Sequence, residues 1–137
     1  MRKIKMIIFV ILFFTISSCS HRLSSVDIEK LYKNNDVVLI DLRERSKYVN
    51  GHIPGAQWIK YHPDTFGGEI FKHSQKTTFV LYCCRENNSK KAIHVLKKCG
   101  YCNFYILKNG FDAWKKSGHP IEKGISRVSH LINYIEK

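Results

Sequence analysis

The chain has 137 residues, enough for one domain around one core and too few for a second core of similar size. Lysine and arginine number 23 against 11 aspartates and glutamates, a formal charge of +12. A chain this basic suits nucleic acid or an anionic membrane surface, and its first twenty residues argue against nucleic acid.

Met1-Arg2-Lys3-Ile4-Lys5 is a short basic run, Met6 to Ile16 is almost wholly apolar, and Ser17-Ser18-Cys19 follows. Basic, apolar and small-residue regions in that order make residues 1–18 a secretory signal peptide. An apolar stretch of about 11 residues is well short of the roughly 20 that a spanning helix needs, so an uncleaved anchor is disfavoured. Ile16-Ser17-Ser18-Cys19 resembles a bacterial lipobox, which implies cleavage before Cys19 and diacylation of its thiol. Ser20 resembles the outer-membrane sorting pattern. The expected location is the cell envelope, on the periplasmic side of the outer membrane where a bacterium has two membranes. Removing Arg2, Lys3 and Lys5 leaves about +9 by the same counting. The remaining lysines read as a solvated surface, the membrane is reached through the lipid, and nucleic acid is not an expected partner.

Residues 19–23 are the lipidated cysteine and a polar tether. Ser24 or Ser25 caps a helix carrying Val26, Ile28, Leu31 and Tyr32, which Asn34-Asn35-Asp36 breaks. Val37-Val38-Leu39-Ile40 does not alternate, as expected of a strand covered on both faces. Asp41 and Arg43 stand at its end. Burying two such charges calls for partners, so both are assigned to supporting the site, ahead of direct substrate binding by Arg43. Glu44 to Asn50 reads as a short helical turn with Tyr48 and Val49 buried. Gly51-His52-Ile53-Pro54-Gly55-Ala56 is a tight turn into an extended segment, Gln57-Trp58-Ile59. His52 inside that turn reads as a structural hydrogen-bonder. Over Tyr61 to Ser74, His62-Pro63-Asp64 opens a helix and Gly67-Gly68 interrupts it.

Thr77-Thr78-Phe79-Val80-Leu81-Tyr82 is apolar, β-branched and aromatic, and reads as a buried strand. Cys83-Cys84-Arg85-Glu86-Asn87-Asn88-Ser89 follows. A helical pattern comes next, with Ala92, Ile93, Leu96 and Cys99 on one face and lysines on the other, closed by Gly100. Cys83 therefore stands between a strand end and a helix start. Loop N–H groups and the positive helix end favour an anion there and make a thiol nucleophilic. Cys84 is either a second, resolving thiol or a core cysteine.

Cys99-Gly100-Tyr101-Cys102 is a C-x-x-C. In redox enzymes that motif opens a helix, whereas here Cys99 ends one, where the helix dipole gives no help to a thiolate. A structural role is expected, as core cysteines or a small staple. An oxidising compartment would let Cys99 pair with Cys102 and Cys83 with Cys84, but spacing establishes neither bridge. Asn103 to Leu107 is another strand. Asn109-Gly110 turns into a helix around Phe111, Ala113 and Trp114, and Gly118-His119-Pro120 stops it. Residues 123–137 form an amphipathic helix with Ile125, Val128, Leu131, Ile132 and Ile135 on one face. Short strands alternating with helices make residues 24–122 an α/β domain, a mostly parallel sheet with helices on both faces. The Cys83 loop lies at a strand's carboxyl end, where such sheets place ligands.

Four stretches in this order resemble a single-domain rhodanese, a sulfurtransferase-type domain. They are Val38-Leu39-Ile40-Asp41-Leu42-Arg43, Gly51-His52-Ile53-Pro54-Gly55-Ala56, Tyr82-Cys83 with the loop to Ser89, and Asn109-Gly110-Phe111-Asp112-Ala113-Trp114 with Gly118 and Pro120. The resemblance implies a rhodanese-like fold and sulfur transfer through a persulfide on Cys83. A small anionic donor such as thiosulfate gives the sulfur, and a thiol or cyanide takes it. Cys84, Arg85, Glu86, Asn87, Asn88 and Ser89 would form the substrate cradle, with Asp41, Arg43 and His52 as support. No metal or organic cofactor is expected, and a monomer is. Related phosphatases have a loop one residue longer; the 17 positions from Cys83 to Gly100 resemble the shorter spacing.

The loop departs from the family at two places. A common version has glycine where Glu86 stands and arginine or serine where Asn88 stands. A carboxylate at Glu86 repels a thiolate and a thiosulfate dianion, and a left-handed backbone there would strain it. Arg85, Lys90 and Lys91 supply compensating charge. A binding module with a weakened loop, and a thiol–disulfide protein using Cys83 with Cys84, are the alternatives.

Overall fold

The computed structural model describes residues 21–32 and 37–125. The signal segment, Cys19 and residues 126–137 of the expected terminal helix lie outside them. Along the chain come β1 (His21–Leu23), α1 (Ser25–Tyr32), β2 (Val37–Asp41), α2 (Arg45–Asn50) and β3 (Gln57–Trp58). Then follow α3 (Phe66–Ile70), β4 (Thr78–Tyr82), α4 (Asn87–Lys98), β5 (Phe104–Leu107) and α5 (Gly110–Lys116).

The strands form one five-stranded sheet, ordered β1-β5-β4-β2-β3, with every pairing parallel. Side chains alternate across it. Phe79 and Leu81 of β4, Ile40 of β2 and Ile106 of β5 pack on one face with Phe66 and Ile70 of α3 and with Ala92, Ile93 and Leu96 of α4. Val80, Tyr82, Leu39 and Leu107 pack on the other with Ile28 of α1, Tyr48 of α2, and Phe111 and Trp114 of α5. Burial on both faces explains why β2 and β4 are apolar without alternation.

Two local expectations change. Residues 21–23, assigned to the polar tether, form β1 instead. They pair in parallel with Tyr105 to Leu107 and so cover an edge of β5 that would leave N–H and C=O groups unpaired. Gly67 and Gly68 do not interrupt a helix but lie inside α3. Phe66 and Ile70 anchor that short helix in the core, and Gly67 faces α4. A Cβ on Gly67 would lie 3.4 Å from Val95 and 3.6 Å from the Cys99 sulfur. At the start of α1 the Ser24 hydroxyl donates to the Asp27 carboxylate at 2.6 Å and accepts from the Asp27 N–H at 3.4 Å, the capping that the sequence predicts.

Strand order reverses between β2 and β4. From β2 the chain runs outward to β3, and from β4 it runs the other way to β5. A crevice therefore opens beyond the carboxyl ends of these two neighbours. Asp41 pairs with Tyr82 in register, and the Leu42 N–H donates to the Tyr82 carbonyl at 2.9 Å. Leu42 and Cys83, which follow the two strands, are thereby brought level, and Arg43 lines one cavity with Cys83.

Candidate active site

Cys83 continues the alternation of Phe79 and Leu81 toward α4 and is 5 % exposed. The hydroxyl of Ser89, buried in the first turn of α4, lies 3.5 Å from its sulfur and points a donor at it. Glu86, which precedes α4, makes no side-chain cap. Among the described residues no acceptor takes the backbone N–H groups of Cys84 through Ser89. Those of Glu86 to Ser89 are the orphan donors at the positive end of a 12-residue helix, and those of Cys84 and Arg85 belong to the loop before it.

The orientation of this loop is set from behind by Gly110, whose φ is +67°. A Cβ there would lie 2.5 Å from the Cys83 carbonyl oxygen, 2.6 Å from that of Cys84, and nearer still to that of Arg85. The Cys83 carbonyl accepts from the Phe111 N–H at 2.8 Å, and the Cys84 carbonyl from the Asp112 N–H at 3.3 Å. Every peptide here is trans, so each N–H points opposite to its own carbonyl. With three successive carbonyls turned onto α5, the N–H groups of Cys84, Arg85 and Glu86 face away from it and are left for a ligand. Asn109 adopts φ +61°, a left-handed conformation that asparagine tolerates better than most residues with a side chain.

Glu86 does not sit as the loop comparison implies. Its φ is −133°, so no left-handed strain arises. Its carboxylate accepts the Asn109 N–H at 3.0 Å and lies 3.3 Å from Arg22 of β1 and 3.5 Å from Lys90 of α4. It does not line the cavity beside Cys83. The side chain assigned to substrate is a latch between the loop, the β5–α5 turn and the sheet edge. The Asn109 N–H, with Arg22 and Lys90, holds its pKa below the ordinary 4.5. A carboxylate depressed in the fold contributes stability above its unfolded value and loses it as pH falls through its folded value. Glu86→Gln should therefore be less stable than wild type at neutral pH, by about 1 kcal/mol. The gap should close as pH falls below 4.5. Urea unfolding of both proteins from neutral to acid pH measures this, and a gap that does not change with pH would refute the latch.

Asp41 and Arg43 form a closed pair. The Asp41 carboxylate accepts from Arg43 Nε at 2.9 Å and Nη2 at 2.6 Å, and from the Arg43 backbone N–H at 2.9 Å. Nη2 also donates to the Gly51 carbonyl at 2.6 Å, and the guanidinium lies 3.7 Å from the Phe111 ring centre. Burial opposes the guanidinium charge, but the hydrogen bond to Asp41 and its charge outweigh burial and hold the Arg43 pKa above its usual value. His52 is fully buried in its turn. Nδ1 lies 2.9 Å from the Tyr48 carbonyl, the ring stacks on Tyr48 at 3.8 Å, and Nε2 faces the Glu122 carboxylate at 3.5 Å. It is not among the residues lining the Cys83 cavity.

That cavity, about 310 Å³, is lined by Cys83, Cys84, Arg85, Asn87 and Asn88 of the loop. Arg43, Glu44 and Lys47 line it from the β2–α2 side, with Lys60 and Tyr61 from beyond β3. Arg43, Lys47, Lys60 and Arg85 thus line it with one carboxylate, Glu44; Arg43 is already paired with Asp41, and Lys60 holds Glu44 at 3.1 Å. Sequence reasoning missed Lys47, Lys60 and Tyr61. Nothing in their local pattern distinguishes them, since only the fold brings α2 and the segment after β3 to the rim. Lys47 Nζ lies 3.3 Å from the Cys84 sulfur, 37 residues away in the chain. Cys83, Cys84, Cys99 and Cys102 are all free thiols, so neither of the bridges considered is present.

The comparisons with known proteins agree with this architecture. A protein of Anabaena sp. is 25 % identical, with a TM-score of 0.69, over 83 % of this chain and 91 % of that one. A Rhodopseudomonas palustris protein described as a possible tyrosine phosphatase is 26 % identical, with a TM-score of 0.63, over 74 % and 84 %. Thiosulfate sulfurtransferase from Pseudomonas aeruginosa is 20 % identical, with a TM-score of 0.66; the match covers 77 % of this chain and 20 % of that one, and shows a shared fold. The model of the rhodanese-like domain family matches residues 24–117, so the chain belongs to that family.

Proposed function

We propose that the domain is a sulfurtransferase that carries sulfane sulfur on Cys83. The observation that supports this best is the uncommitted set of N–H groups from Cys84 to Ser89 at the Cys83 thiol. The Cys83 thiolate attacks the outer sulfur of a donor such as thiosulfate. A Cys83–sulfur bond forms, the donor's S–S bond breaks, and sulfite leaves with the bonding pair. The persulfide left behind is an anion held by preorganised donors, the N–H groups and the Ser89 hydroxyl. The cations at the rim attract an anionic donor. An acceptor thiol or cyanide then takes the outer sulfur and restores the Cys83 thiolate. Every step uses this chain's own side chains and backbone, without a cofactor. Export, a lipid anchor at Cys19 and a monomeric state belong to the same proposal; the composition of residues 1–20 supports the first two.

The test is the intact mass of the reduced soluble domain, residues 20–137, after incubation with thiosulfate. The expected result is a gain of one sulfur, about 32 Da, that cyanide removes and that Cys83→Ser never acquires. A folded, reduced protein that gains nothing would reject the thiosulfate reading. Turnover of an aryl phosphate in its place would make the cradle a phosphate site.

A further inference from the structure

Cys83 and Cys84 line one cavity but differ in access. Cys83 is buried against α4, whereas Cys84 is half-buried, lies next to Lys47 of α2 and faces the β2–α2 side. A sulfur bound to Cys83 extends from a buried thiol, whereas one bound to Cys84 stands at a half-buried position nearer solvent. Lys47 Nζ, 3.3 Å from the Cys84 sulfur, is a cation placed to hold a thiolate or perthiolate at that second position.

We propose that Cys84 is a sulfur relay, taking the sulfane sulfur from Cys83 and presenting it at the rim to bulky thiol acceptors. This rests on Cys83 being the persulfide carrier. The Cys84 thiol gives its proton to the Cys83 persulfide anion, and the Cys84 thiolate so formed attacks the outer sulfur of the resulting perthiol. A Cys84–sulfur bond forms, the Cys83–sulfur bond breaks, and Cys83 leaves as the thiolate. The proton stays on the transferred sulfur. No oxidant or reductant is consumed, because one persulfide replaces another. Lys47 stabilises the attacking thiolate, and it stabilises the perthiolate once the Cys84 perthiol has passed its proton to the Cys83 thiolate. An acceptor thiolate removes the sulfur from Cys84 in the same way.

Trypsin cuts after Lys76 and Arg85, releasing one peptide that carries both thiols. Thiosulfate-loaded protein is alkylated, digested and fragmented, and the fragment Cys84-Arg85 reports whether the extra sulfur has moved. A measurable share of the label is expected on Cys84 in wild type, and none in Cys83→Ser. In steady state, Cys84→Ser should lower the ratio of glutathione to cyanide turnover by about tenfold or more. Lys47→Met should lower it in the same direction by less. A label confined to Cys83, an unchanged ratio, or a Cys83–Cys84 disulfide formed with release of sulfide would each overturn the relay. Whether wild type gains any sulfur tests the Cys83 reading separately.

Discussion

Replacing Gly110 with alanine should destabilise the domain by about 3 kcal/mol or more and abolish sulfur loading on Cys83. Two costs combine at this position. A residue with a side chain at φ +67° sits in the left-handed region, a penalty of about 1 kcal/mol. The larger cost is steric. The new methyl would overlap the carbonyl oxygens of Cys83, Cys84 and Arg85, which are backbone atoms and cannot swing aside. Relief comes only if the loop moves off α5. That motion breaks the hydrogen bonds from Phe111 and Asp112 and rotates the peptide planes whose N–H groups face the cavity. Gly118→Ala is the matched control, since Gly118 has φ +76° with no atom within 4 Å of its Cβ position. It should cost only the backbone term, about 1 kcal/mol, and leave loading intact. Urea midpoints and sulfur gain by mass compare the two. Equal losses of stability would mean that the close approach at Gly110 does not shape the loop.

The sheet and the place of Cys83 are legible in the sequence because both depend on local patterns. Val37 to Ile40 and Phe79 to Tyr82 are apolar or aromatic on both faces, and only covered strands need that. The change from strand to helical period across Cys83 marks a loop at a carboxyl edge. Asn109 substitutes for glycine for a reason internal to the residue. What escapes the sequence is decided by neighbours distant in the chain. The character of Glu86 as a carboxylate suggests repulsion at the thiol. Its position shows a hydrogen bond to Asn109 and ion pairs with Arg22 and Lys90, none of which the loop motif encodes. Gly67-Gly68 looks like a helix breaker until Phe66 and Ile70 are seen fully buried on either side of it. Lys47 is one lysine among many until α2 carries it to Cys84.

Arg43→Met should cost about 3–5 kcal/mol, because it leaves the Asp41 carboxylate, fully buried, without its cation. The alternative role for Arg43, binding substrate, can be separated from support by a second substitution. Lysine keeps the charge at this edge of the cavity but cannot donate from two nitrogens to Asp41, reach Gly51 with the same group, and stack on Phe111. If Arg43 is a scaffold, Arg43→Lys should be nearly as unstable as Arg43→Met. Its sulfur loading should then fail in proportion to unfolding and recover when temperature or urea is lowered. If Arg43 instead binds the donor, the lysine variant should fold well and show a raised KM for thiosulfate. The double change Asp41→Leu with Arg43→Met sharpens the distinction. Removing both charges eliminates the unpaired carboxylate, so stability should return toward wild type by a few kcal/mol. The Gly51 carbonyl would still lack its donor, and the turn that carries His52 and Ala56 would be held by its contacts with Tyr48, Tyr82 and Glu122. A double variant that is stable and loads sulfur normally would reduce the pair to a replaceable support for the β2 end. One that is stable but does not load sulfur would show that the pair fixes the shape of the crevice into which Cys83 opens.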